Sequence, residues 1–191
     1  MGFSHDIVIK ARMLLGEHGD VRSQPPSDWR GSFPLPPDIA DLYDRIGPVN
    51  VTIRGYGNSY SLPSLAKLWD FQAGYRWNGL TGEPIDDWND DWVVVADQGG
   101  DPFIFDRASC TVLFDHHGRG VWEPQYWFPD LPTMIACFAV LGSVIRAAGK
   151  DFTDAECSIR PEHRQRAIDR ITEIVGSCAE AQAIVEGAGW G

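Results

Sequence analysis

Carboxylates crowd the middle of this chain. Asp86, Asp87, Asp90 and Asp91 fall close together around Trp88 and Asn89. Asp87, Asn89 and Asp91 have the alternate spacing with which a calcium loop supplies its first oxygen ligands. The rest of such a loop is missing. Trp92 stands where the turn glycine belongs, and Gln98 stands where a bidentate Glu would close the site. A solvated acidic loop is the better reading. Asp115-His116-His117 offers imidazole nitrogen, but adjacent residues in a strand point to opposite faces. No third spaced ligand and no HExxH accompanies that pair. Asp97 and Asp101 are a carboxylate pair of the kind used in acid–base work. They flank Gly99-Gly100, however, where aspartates bond the backbone of a turn. Gly55-x-Gly57 lacks the further glycine and the long helix of a phosphate loop, and neither GxSxG nor GxxxxGK[ST] occurs. These patterns lead us to expect no catalytic set, no metal and no cofactor. Binding is the chemistry that remains.

Charge says what kind of binding. The chain carries a net −11 with a pI near 4.7. Between Glu83 and Asp115 nine acids face a single base, Arg107, a local net of −8. The C-terminal part instead carries Arg160, Arg164, Arg166 and Arg170. A surface this acidic is repelled by nucleic acid and by anionic membranes; it suits a basic partner, and overall composition is equally served by solubility alone. The candidate partner-binding residues are Asp86, Asp87, Trp88, Asp90 and Asp91, with Trp88 as an aromatic anchor.

The elements that must position these residues are written in the periodicity. Ser4 is placed to cap an amphipathic helix ending near Gly16. Ser23–Pro37, with five prolines, reads as an irregular connector. Pro37 opens a helix whose Ile39, Leu42, Tyr43 and Ile46 share one face, stopped by Gly47-Pro48. Val51–Arg54 alternates as an edge strand does, and a short helix follows Pro63. Trp92–Ala96, Phe103–Phe105 and Thr111–Phe114 are strands with linkers too short for crossover helices, so they pair antiparallel. They are apolar on both faces, so each face needs a cover. Leu131–Ala148 supplies one, with Trp92 expected beneath it. In the tail, Thr153 and Glu156 fit a capping box, Pro161 opens a helix with an Ala167, Ile168, Ile171, Ile174 stripe, and a last helix spans Ala179–Glu186. The eight tryptophans are read mainly as core filling.

The four cysteines, Cys110, Cys137, Cys157 and Cys178, form no CxxC pair and read as reduced, mostly buried thiols. The first residues lack a signal-peptide core, and Met1-Gly2 lacks the Ser or Thr at position six of a myristoylation signal. The apolar run Met134–Ile145 is shorter than a bilayer requires. A cytoplasmic protein, without membrane or nucleic-acid partner, is expected.

Leu35-Pro36-Pro37-Asp38, opening a helix that ends at Gly47, resembles the start of a SUKH-superfamily domain. Asp91 to Asp106 resembles that family's strand, glycine turn and second strand, with Trp92, Gly99, Gly100, Asp101, Pro102 and Asp106 in the motif positions. Val112 and the apolar helix Leu131–Ala148 also fit. The resemblance covers roughly Leu35 to Ala148. It implies an α+β fold: a mainly antiparallel, twisted sheet covered by helices. With the matched part ending near Ala148 and Gly149-Lys150-Asp151 read as a joint, residues 1–150 are expected to form one domain with its core at about 33–148, and 151–191 an accessory helical extension. The superfamily includes a yeast cell-wall-assembly regulator and many bacterial toxin-immunity proteins. The resemblance therefore implies a non-catalytic immunity protein that neutralises a toxin, and the acidic charge points to a basic, nuclease-type one. The other role it offers is a scaffold or regulatory protein in envelope synthesis.

Overall fold

The computed structural model describes residues 3–191, so Met1 and Gly2, read above for an acylation signal, lie outside the described residues. The fold is α+β. Six strands form one antiparallel meander in the order β1 to β6: Val51–Ile53, Tyr60–Leu62, Trp92–Gln98, Asp101–Asp106, Thr111–Phe114 and Gln125–Phe128. The helices are α1 (His5–Leu15), α2 (Pro37–Arg45), α3 (Leu65–Leu68), α4 (Leu131–Ala148), α5 (Pro161–Val175) and α6 (Cys178–Val185).

Side-chain alternation decides what each face of the sheet meets. Val93, Val95, Phe103, Phe105, Val112 and Phe114 enter the main core with α4. Val94, Ile104 and Leu113, one residue out of phase, belong to a second, smaller core on the opposite face. The main core is dense in aromatics. Tyr60 stacks on Phe138 of α4 at 4.2 Å, and Phe103 meets Phe138 edge-on at 4.6 Å. The β3–β4 hairpin turns through Gly99 and Gly100, both at positive φ (67° and 100°) between paired Gln98 and Asp101. Two successive positive φ values match the right-handed twist of the strands and favour glycine strongly.

The long helix α4 runs through the middle of this core. Asp130 caps it by accepting from Thr133 N at 2.8 Å, and Pro132 sits in its first turn. Within it Gly142 lets β1 and the chain after α1 come close. A Cβ there would lie 2.4 Å from Ile53 Cγ2 and 2.8 Å from His18 Cε1. Among the described residues one stretch, Leu131–Phe152, is long and apolar enough to cross a membrane, and 83% of its apolar window is buried inside the protein.

His18 ties the chain after α1 to α4. Its Nε2 donates to Ala139 O at 2.9 Å and lies 3.2 Å from Ser143 Oγ. Burial holds its pKa below the ordinary value, against the pull of the Ala139 carbonyl. The folded form therefore takes up its proton at lower pH than the unfolded chain. The resulting stability is complete above the unfolded value of about 6.5 and is lost as pH falls from there toward the folded pKa. We expect the melting temperature to fall on acidification from about pH 7 to about pH 5, and His18→Gln to flatten that slope. An unchanged slope in the variant would assign the effect to other groups.

Four expectations are corrected. The tail is not an accessory layer: Phe152, Ala167, Ile168, Ile171, Ala181, Ile184, Val185 and Trp190 join the same core as α1, α4 and the sheet. The stripe on α5 is buried on this chain's own α4. Thr153 and Glu156 cap no helix. Asp154 Oδ1 instead accepts from Glu156 N and Ser158 N, making a turn before α5 opens at Pro161. Trp92 does not lie under α4, because it shares a face with Val94 and packs in the second core. Cys137 is buried, but Cys110, Cys157 and Cys178 are exposed.

Candidate functional site

The acidic loop is anchored from the sheet outward. Gln72, fully buried after α3, donates to Leu68 O and Val94 O and accepts from Val94 N, all at 2.8–2.9 Å. One side-chain amide thus bonds both backbone groups of Val94 beside the β3 irregularity between Val94 and Ala96. From that anchor the chain runs through Tyr75, Arg76 and Trp77, turns at the fully exposed Leu80, and returns through Ile85 to Asp91. Asn78 Oδ1 holds the turn by accepting from Leu80 N and Thr81 N.

Beneath the loop lies the second core. Trp88 meets Trp92 and Trp122 edge-on, each at 5.4 Å, with Tyr75 alongside at 6.2 Å. Trp88 is 7% exposed. It is the floor on which the loop rests. A cleft of about 250 Å³ opens between Trp69, Arg76, Trp77, Trp88 and Asp90.

The carboxylates divide by what they touch. Asp90 accepts from Arg76 at 2.9 Å, yet its side chain remains 97% exposed. Asp91 pairs with Arg107 at 2.9 Å, and Arg107 also donates to Asp90 O. Both guanidiniums pack on Phe33, with Arg107 4.3 Å and Arg76 5.5 Å from its ring centre. Asp87 Oδ2 accepts from Trp122 N at 2.8 Å, pinning the segment after β5 to the loop. Asp86 is exposed and makes no hydrogen bond or ion pair among the described residues. Five acids from Glu83 to Asp91 thus face two internal guanidiniums, leaving a residual −3 on the outside of the loop.

The family-motif residues are structural in their contacts. Trp92 fills the second core, and Gly99 and Gly100 make the hairpin turn. Pro102 pairs with Asp97 near the start of β4. Asp106 closes the β4–β5 turn by accepting from Ala108 N and Ser109 Oγ. Asp97 and Asp101 do not serve the hairpin backbone as expected. Asp97 accepts from the Tyr75 hydroxyl at 3.2 Å, and burial raises its pKa. Asp101 takes both histidines: His116 Nδ1 lies 3.0 Å from Oδ2 and His117 Nδ1 2.6 Å from Oδ1. Burial pushes the Asp101 carboxyl up, and these bonds outweigh it, leaving its pKa below the usual value. The histidines lie beyond the end of β5, so strand alternation does not separate them.

Among the described residues no three His, Cys, Asp or Glu side chains are grouped to hold a metal ion. Sequence reasoning missed Arg76, which lies outside the acidic window, and the platform formed by Phe33. The interruption of the acidic run by Trp88 and Trp92 was the available signal that an apolar surface lay beneath it. No protein-family model, no curated protein and no solved structure matches the chain.

Proposed function

We propose that the protein is a non-catalytic, cytoplasmic binding protein of the immunity type, which occludes a basic, nuclease-type toxin domain. The observation that carries the reading is the acidic loop itself. Asp86, Asp87 and Asp90 are exposed on a segment fixed by Gln72, by the aromatic floor and by two buried-side guanidiniums. A prearranged acidic surface meets a basic one without first paying the entropy of ordering a loop. Complementary charge then raises the association rate, more so at low salt. A domain that cleaves nucleic acid has to present positive charge to phosphates, and carboxylates held in an array occupy the same surface. The resemblance between Leu35 and Ala148 fits an immunity or an envelope role alike, and the acidic loop favours the first.

The internal bonds change the choice of test. Reversing Asp90 or Asp91 would set like charges against Arg76 or Arg107 and loosen the loop. Glu83→Lys with Asp86→Lys alters the outer field and leaves both ion pairs intact. With a purified basic, nuclease-type toxin domain that the chain binds, we expect this double variant to slow association by roughly tenfold at low salt and by less at high salt, with little change in dissociation. An unchanged association rate in the folded variant would move the partner surface away from this loop.

A further inference from the structure

The sheet has an open edge at β6. The strand order places Gln125–Phe128 last, bonded to β5 alone, so among the described residues its outward main-chain groups have no strand partner. Proteins blunt such an edge by shortness, by Pro and by charged side chains, and of these β6 has the first two but not the third. Between Pro124 and Pro129 the strand is Gln125-Tyr126-Trp127-Phe128, without a charge, and Tyr126 is 60% exposed. A groove of about 530 Å³ is lined by Tyr126 and Trp127 of this strand and by Glu180, Ala183, Ile184 and Gly187 at the end of the chain. Gly187 shapes it: a Cβ there would lie 2.5 Å from the Trp127 ring.

We propose that β6 and this groove dock an extended, basic-and-apolar segment of a partner protein, which adds a seventh strand to the sheet. The unpaired main-chain groups demand an extended occupant, because only a strand presents complementary N–H and C=O groups at matching spacing. The aromatic and aliphatic walls demand an apolar side chain at alternate positions. Glu180 in the wall, Glu123 before the strand and Asp130 after it favour Lys or Arg in the same segment. They equally disfavour a second copy, which would bring Glu180 and a net −11 against themselves. The site is separate from the loop Glu83–Asp91 and does not depend on the reading given above.

The test uses the full chain and a displayed library of random peptides of about ten residues, a length that spans the strand and its flanks. Selected peptides are expected to alternate apolar and polar residues and to carry Lys or Arg. A synthetic copy of the best one is expected to slow hydrogen exchange at the amides of residues 125–128. Ala183→Arg, at an exposed position on the groove wall, is expected to weaken that peptide by at least about tenfold while leaving the thermal melt unchanged. Tyr126→Ser gives a second, independent perturbation. Failure to enrich any peptide would overturn the proposal. So would protection that maps to Glu83–Asp91 instead, or concentration-dependent self-association that protects β6 without peptide.

Discussion

A chain ended at Lys150 is expected not to fold. The removed segment supplies Phe152, Ala167, Ile168, Ile171, Ala181, Ile184, Val185 and Trp190 to the main core, each under 10% exposed. Full burial of one large apolar side chain contributes about 1.5–3 kcal/mol. Phe152, Ile168, Ile171, Ile184, Val185 and Trp190 together therefore contribute on the order of 10 kcal/mol, as much as the whole net stability of an ordinary domain. Removal also uncovers α4, whose residues from Leu131 to Ile145 are all buried. Such an apolar helix left in water drives association. Far-UV circular dichroism and urea titration of the shortened chain read the outcome: no cooperative transition, with aggregation at low denaturant. A cooperative melt close to that of the full chain would show instead that α5 and α6 are a satellite the sheet does not need.

That expectation reverses the sequence reading of the tail as an accessory, and the reason is physical. The Ala167-Ile168-Ile171 stripe announces that α5 buries one face, but periodicity names no partner for it. Only the packing shows that α4 is apolar all round because the sheet, α1 and α5 each claim part of it. The central strands were legible because Val93, Val95, Phe103 and Phe105 are β-branched or aromatic and bounded by turn residues. β2 and β6 were not, since Tyr60–Leu62 and Gln125–Phe128 are too short to show alternation. Trp92 was misplaced although the two-residue period already put it with Val94 and against Val93. The acidic loop was legible as charge, but its fastening was not. Arg76, Phe33 and Gln72 lie 15 to 58 residues from Asp91 in sequence and come to fasten the loop only through the fold.

Trp88→Ala is expected to cost about 3–5 kcal/mol of stability, the range for truncating a large buried aromatic side chain. The ring lies between Tyr75, Trp92 and Trp122, so its loss opens a cavity under the loop and frees the contacts that hold Asp87 against Trp122. For a chain of this length that corresponds to a fall of roughly 6–20 °C in melting temperature. Trp88→Phe separates shape from polarity. The indole Nε1 is buried and finds no acceptor among the described residues, and a buried donor left unpaired costs about 1–3 kcal/mol. Phe discards that donor while keeping most of the ring, so its cost is expected to be about 1 kcal/mol or less. A urea midpoint shifted strongly by Ala and weakly by Phe, at constant m, supports Trp88 as the floor of the loop. Partner binding measured well below the melting temperature completes the test. If Trp88 acts through the floor, both the Ala variant's slower association and its faster dissociation should follow from a loosened acidic loop, and Phe should restore both. A Trp88→Ala variant with an unaltered melt and a faster partner dissociation would instead place the indole on the partner surface.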